Sequence, residues 1–178
     1  MSEPPGFTMA PLEPAHRTRV AAILRSTENF RDEEVDVALE LFDESFLGED
    51  YAWVGVFSRK ALVGFACYGP TMGTDRTYDL YWIAVDRAAQ GTGCGTVLLS
   101  EVERRLEALH ARMLVVETSS RSDYAATRGF YSRRGYVEAA RVREFYAPED
   151  DRIILTKRLA GSPREGWGAV ACASGRKS

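Results

Sequence analysis

Apolar positions recur along this chain with two periods, and the switches between them predict the elements. Residues 6–12 alternate as a short first strand that ends before Pro14. Residues 16–26 place Val20, Ile23 and Leu24 on one helical face, and residues 31–46 place Val35, Leu39, Phe42 and Phe46 on another. Residues 51–58 and 61–68 read as strands. Their link is only Arg59-Lys60, which makes an antiparallel hairpin. A loop rich in Gly, Pro and Thr over residues 69–76 leads to a strand at 77–85. A helix then carries Leu98, Val102, Leu106 and Leu109 toward the core, with Glu101 and Arg105 as an exposed i, i+4 pair. The apolar run Met113-Leu114-Val115-Val116 within residues 112–118 suits the centre of a sheet. Reaching it through a helix implies a parallel crossover. A fourth helix at 122–134, with Ser122 or Asp123 as N-cap, precedes a closing antiparallel pair at 137–146 and 152–159. No internal repeat is visible.

The pattern therefore predicts an α/β chain of the α+β mixed-sheet kind. Its sheet is mostly antiparallel with one parallel splayed pair, flanked by about four helices. Residues 1–159 read as one domain. Residues 160–178 are rich in Gly, Ala, Ser and charge, and read as a flexible tail in which Trp167 is the one large apolar residue.

The chemistry concentrates in one loop, Gln90-Gly91-Thr92-Gly93-Cys94-Gly95, between the strand YDLYWIAV at 78–85 and the helix that follows. Strand, glycine turn and helix make a phosphate cradle. Glycines let main chain approach a ligand, and free N–H groups at a helix start point at an anion. A dinucleotide site wants G-x-G-x-x-G directly after the strand, with an acid about twenty residues on, a position Glu117 could fill. Here the residue three after Gly93 is Thr96, not glycine, and the upstream strands are antiparallel, which disfavours that reading. A P-loop is excluded because no Gly-Lys-Ser/Thr follows. The plain alternative is a glycine turn that merely ends a strand.

The loop matches the Q/R-x-x-G-x-G/A pyrophosphate motif of the GCN5-related N-acetyltransferase (GNAT) family. Downstream, Phe130-Tyr131 and Gly135-Tyr136 match a second family element. The chain resembles this family over residues 7–159, most strongly from 78 to 136. The resemblance implies a GNAT-like acyl-CoA N-acyltransferase fold and acetyl-CoA (coenzyme A) as cosubstrate. Main-chain N–H groups of residues 91–96, from Gly91, Thr92, Gly93, Cys94, Gly95 and Thr96, would hold the pyrophosphate, helped by the helix dipole. Gln90 either orders the loop through its side-chain amide or is a solvated loop residue. Thr96 offers a hydroxyl to a phosphate or to the helix start. In relatives the strand before the loop pairs its backbone with the pantetheine arm, which points to Ile83, Ala84 and Val85, and an N–H of that strand stabilises the thioester oxyanion.

The catalytic expectations follow from the same resemblance. Expelling a CoA thiolate requires a proton, and Tyr131 stands where relatives keep a tyrosine as general acid. A phenol of pKa about 10 can protonate a thiolate of pKa roughly 8.5 if held close. The alternative is a packed aromatic on an amphipathic helix. Glu117, ending a buried strand where burial would raise its pKa, is the candidate general base; its alternative is a paired structural carboxylate. The family's Asn seven residues before the tyrosine is Tyr124 here, whose hydroxyl is the candidate replacement. Arg128 is either a phosphate ligand or a surface cation. Asp79 and Tyr81 share a strand face and are candidates for ordering the amine or a water. Asp75 and Asp79, with Glu44, Glu49 and Asp50, suggest an acidic mouth. Cys94 at a helix start is a nucleophile candidate only on position, since no His or Asn partner accompanies it. These expectations describe an acetyl-CoA-dependent N-acetyltransferase acting by direct transfer to a primary amine of a small molecule or peptide. The other readings are a CoA-binding or regulatory module without catalysis, and an O-acyltransferase.

Composition narrows the setting. A net charge of -3, with 23 Lys and Arg against 26 Asp and Glu, shows no basic stripe for nucleic acid. Cys67, Cys94 and Cys172 are few and scattered, as in a reduced cytoplasmic protein rather than a disulfide framework. No apolar run spans a bilayer, the first residues carry no apolar signal core, and His16 and His110 lie too far apart to suggest a metal site. Relatives often pair as homodimers.

Overall fold

The computed structural model describes residues 6–48 and 50–160. The expectations for residues 161–178, including Trp167 and Cys172, and for Glu49 lie outside them. Seven strands form one sheet in the order β1-β2-β3-β4-β5-β7-β6: β1 (Phe7–Pro11), β2 (Ala52–Ser58), β3 (Ala61–Pro70), β4 (Thr77–Val85), β5 (Met113–Ser119), β6 (Val137–Ala147) and β7 (Asp150–Arg158). The helices are α1 (Arg17–Ser26), α2 (Asp32–Glu44), α3 (Cys94–Ala108) and α4 (Ala125–Ser132). All neighbouring strands are antiparallel except β4 and β5, the predicted parallel pair.

The sheet is covered on both faces. α1 and α2 bury Val20, Ile23, Leu24, Val35 and Phe42 against Trp53, Phe65 and Cys67. α3 buries Leu98, Val102 and Leu106 against Val54, Ala66, Leu114 and Val116. Burying such faces stabilises the fold by roughly 25 cal/mol per Å² of apolar area removed from water. Arg59 and Lys60 both take positive φ (49° and 69°), the geometry of a two-residue hairpin whose twist matches the strands it joins.

Three details depart from the sequence pattern. Leu109 is 57% exposed and Phe46 40% exposed, because α3 ends at Ala108 and α2 at Glu44 and neither apolar stripe continues past its last turn. The fourth helix starts as a 3-10 turn (Ser122–Tyr124). Neither Ser122 nor Asp123 caps it, since the Asp123 carboxylate pairs with the Arg121 guanidinium instead. β7 starts two residues earlier than expected, at Asp150.

Candidate active site

The parallel pairing of β4 with β5 is brief. It runs from Thr77 against Met113 to Leu80 against Val116, and then the strands part. The cause lies in β4. Cys67 faces Trp82 and Tyr68 faces Leu80, so Tyr81 is an extra residue in β4, a β-bulge. The bulge inverts the alternation: Tyr78 and Leu80 pack on the α3 side, Trp82 and Ala84 on the α1–α2 side, and Ile83 and Val85 on the α3 side again. Bulges bend and twist the strand that carries them, so β4 turns away from β5. A cavity of about 750 Å³ opens at that point, with Tyr81, Ile83, Glu117, Thr118 and Tyr131 in its wall.

Backbone direction in the split follows from two hydrogen bonds. The Asp86 N–H donates to the Val63 carbonyl of β3 (2.8 Å), and the Val85 carbonyl accepts the Gln90 side-chain amide (3.2 Å) from the opposite side. By strand alternation, Ala84 turns its main-chain groups to β3, while Ile83 and Val85 turn theirs into the split. Of these three residues, Ile83 turns both its main-chain groups into the split, Val85 turns its N–H there while Gln90 takes its carbonyl, and Ala84 turns to β3. The Gln90 amide orders the loop, the first of its two readings.

The glycine loop turns tightly into the start of α3. Gly91 and Gly93 adopt φ of 75° and 88°, the left-handed region that favours glycine, with open space around each. Gln90 N–H bonds to the Arg87 carbonyl and Val97 N–H to the Gly93 carbonyl. Between them, the N–H groups of residues 91–96 have no protein acceptor among the described residues. They fan around the N-terminus of α3, where the helix dipole adds positive potential. The Cys94 side chain turns inward and is 1% exposed, and burial pushes its thiol up to about 11. Desolvation outweighs the helix terminus here, so Cys94 is no nucleophile. Thr96 accepts a hydrogen bond from Arg134, whose guanidinium lies 3.7 Å over the Phe130 ring and also donates to the Phe130 carbonyl (2.7 Å).

Arg134 is a cation beside the cradle that the sequence pattern did not single out. Through Nη1, Arg128 donates to the Ser119 (2.7 Å) and Arg121 (2.8 Å) carbonyls and pins the β5–α4 connection. The Tyr124 hydroxyl donates to the Asn29 carbonyl (2.8 Å), tying the start of α4 to the α1–α2 link across the cavity rim.

Tyr131 is a packed aromatic that also reaches the cavity. It is 2% exposed and packed edge-on against Phe130 and Tyr136 at 5.2 and 5.3 Å, yet it is part of the cavity wall. Burial raises its phenol well above the ordinary range, so it holds its proton throughout neutral pH. Glu117 differs from expectation. Its side chain is 39% exposed and ion-paired with Arg152, so it does not end a buried run. Strand alternation explains this: Val116 faces the α3 core, so Glu117 faces the split.

The expected acidic mouth is also replaced. Asp75 pairs with Arg76 and Arg112 at the far end of β4, and Asp79 accepts the Thr71 hydroxyl (2.6 Å). Neither these two nor Glu44 and Asp50 belong to the cavity wall, whose acids are Glu34, Glu117, Asp123, Glu149 and Asp150. Tyr81 is in the wall, its phenol pushed up to about 12 by desolvation and then by Asp79.

Residues 17–136 match the model of the acetyltransferase (GNAT) family. The chain belongs to the GNAT acetyltransferase family. It is thus an acyltransferase of a family that uses acetyl-CoA. Among solved structures, a Desulfovibrio desulfuricans protein assigned to the GNAT acetyltransferases shares 38% identity, with a TM-score of 0.84 over 87% of this chain and 100% of that one. The ribosomal-protein-S18-alanine N-acetyltransferase of Escherichia coli shares 23% identity (TM-score 0.71, 91% and 99% of the two chains). An aminoglycoside 6'-N-acetyltransferase complexed with coenzyme A shares 16% (TM-score 0.68, 85% and 96%). At those identities the last two share the fold. No curated protein matches this chain. No helix among the described residues is long and apolar enough to cross a membrane.

Proposed function

We propose that this protein moves an acetyl group from acetyl-CoA directly to a primary amine of a small molecule or peptide, in a ternary complex. The observation that carries the reading is the convergence, at one split between β4 and β5, of the free N–H cradle, the open main chain of Ile83 and Val85, and the buried Tyr131 phenol.

In this reading the pyrophosphate sits on the N–H groups of residues 91–96, with Arg134 beside it as a counter-charge. The pantetheine arm pairs with Ile83 and Val85 in place of the missing β5 partner. The amine attacks the thioester carbonyl, and a β4 N–H in the split takes the developing oxyanion. Collapse expels the thiolate, and the Tyr131 hydroxyl supplies its proton. Glu117, paired with Arg152 but open to the cavity, is the candidate acceptor of the amine proton, directly or through water. Covalent acetyl-enzyme chemistry has no support in the buried, protonated Cys94 thiol.

The test is CoA release by the purified protein with acetyl-CoA and a panel of amines, run beside Tyr131→Phe. Phe keeps the packing on Phe130 and Tyr136 and removes only the hydroxyl. Amine-dependent release that falls at least tenfold in the variant, about 1.4 kcal/mol on the barrier, is expected. Equal turnover by the two proteins refutes the role of Tyr131. Acetyl-CoA binding without release across the panel favours a CoA-binding module.

A further inference from the structure

Among the five acids of the cavity wall, Asp150 differs from the rest in how it is held. Glu34, Glu117 and Asp123 each face a guanidinium, from Arg31, Arg152 and Arg121. Glu149 is solvent-exposed. Asp150 is only 9% exposed and makes no ion pair among the described residues. Its Oδ1 accepts the Ser119 hydroxyl, and that hydroxyl in turn accepts the Arg121 N–H (3.1 Å), which fixes its direction. Next to it, Ser120 N–H bonds to the Asp151 carbonyl (2.9 Å) and Asp151 N–H to the Ser120 hydroxyl (2.8 Å). The β5–α4 connection and the start of β7 are thereby clamped around a carboxylate whose Oδ2 has no described partner.

A buried carboxylate with a hydroxyl as its only partner is electrostatically incomplete. Removing an anion from water is costly unless a cation or several donors replace the water. The guanidiniums in the wall, Arg31 and Arg121, are each paired with an acid, Glu34 and Asp123. Phe30 packs edge-on against Trp82 at 5.3 Å, and Tyr146 is part of the same wall as Asp150. Aromatic faces attract ammonium groups. Burial raises the Tyr146 phenol, and after it Glu117, Asp150 and Glu34 raise it against the opposing pull of Arg152.

We propose that Asp150 binds the ammonium group of the acceptor, and that the acceptor is a small organic cation bearing no carboxylate next to its amine. This rests on the acetyl-transfer reading above. Asp150 Oδ2 receives the protonated amine, the aromatic wall holds the carbon body, and a carboxylate on the acceptor meets Asp150, which has no guanidinium partner among the described residues, as a like charge. The site thus selects amines over α-amino acids of the same shape.

The experiment compares amines with their carboxylated counterparts: 2-phenylethylamine against phenylalanine, tryptamine against tryptophan, and 1,4-diaminobutane against ornithine. Each is assayed by CoA release with wild type, Asp150→Asn and Ser119→Ala, and acetyl-CoA binding is measured separately by calorimetry. Asn keeps the acceptor for the Ser119 hydroxyl and removes the charge. Wild type is expected to favour the amine of at least one pair by about tenfold or more in kcat/KM, and Asp150→Asn to abolish that preference through KM, with acetyl-CoA affinity unchanged. Ser119→Ala, which keeps the charge and frees its direction, is expected to raise the amine KM severalfold with kcat retained. Equal use of amine and amino acid by wild type, or a preference that survives in Asp150→Asn, overturns the proposal. Acetyl-CoA binding with no release by any of the six, or failure to bind acetyl-CoA at all, defeats the underlying reading instead.

Discussion

Thr118 lies in β5, 6% exposed, and its hydroxyl has no hydrogen-bond partner although its surroundings exclude solvent. Replacing it with Val removes that orphan and leaves a side chain of nearly the same shape. A buried, unpaired hydroxyl costs about 1–3 kcal/mol relative to a paired or solvated one. Its replacement by a methyl adds burial worth about 0.8 kcal/mol. Val also suits a strand at least as well as Thr. A net stabilisation of about 2 kcal/mol or more is expected, which in a chain of this size raises Tm by at least about 4 °C. Thermal scanning and urea titration measure it, with the midpoint shifted and the m-value unchanged. A Tm that falls in Thr118→Val without ligand refutes the reasoning, for it means that the hydroxyl already has a partner.

Three further outcomes follow from the same geometry. Gly93→Ala, at φ 88° with nothing for a new Cβ to strike, should cost about 1–2 kcal/mol of strain and weaken acetyl-CoA binding severalfold by calorimetry; an unchanged Kd removes Gly93 from the cradle. Burial raises the Tyr131 and Tyr136 phenols, so above pH about 10 the unfolded chain releases protons that the fold retains. Stability should then fall with rising pH, and Tyr131→Phe should flatten that slope in urea titrations from pH 9 to 11. The Arg104 and Arg105 guanidiniums hold the Glu101 carboxyl down to about 2, so its contribution is present above pH about 4.3 and is lost as pH falls toward 2; Glu101→Gln should reduce the acid-limb slope, and an identical limb refutes the pairing.

Local patterns made the elements legible. Thr77–Val85 falls at both predicted bounds, the Arg59-Lys60 link forms its hairpin, and β4 and β5 pair in parallel as the helix between them required. The cradle was legible for the same reason: glycine conformation and a helix start are properties of neighbouring residues. What depended on long-range contacts was not. Nothing in the run YDLYWIAV marks Tyr81 as the bulged residue, because a bulge is defined by the partner strand. Arg128 and Arg134 are alike as sequence, and only packing makes one a clamp on the β5–α4 connection and the other a cation stacked on Phe130. Asp150 does not stand out in the sequence, where the pattern begins β7 at residue 152. The acid-rich stretch Pro148-Glu149-Asp150-Asp151 was the available signal.

The alternation of β5 organises what the bulge in β4 opens. Val116 packs with Tyr131 and Ile153 on the α3 side, and Thr118, opposite Ile153 in β7, shares that face. Glu117 and Ser119 take the other face, toward α2, where Ser119 holds Asp150 and Glu34 lies in the same wall. One strand therefore divides the cavity by parity. Its even positions and Tyr131 form the side that adjoins the cradle, and its odd positions gather carboxylates on the side enclosed by the α1–α2 link and the β6–β7 turn. A thioester laid along β4 would meet an amine arriving from the acidic side across a wall one residue thick. A one-residue shift in the β5–β7 register would exchange the two sets, putting Glu117 against the α3 core and Val116 at the amine's entrance. The seven paired positions from Met113–Arg158 to Ser119–Arg152 are thus as necessary to this division as the side chains that carry the chemistry.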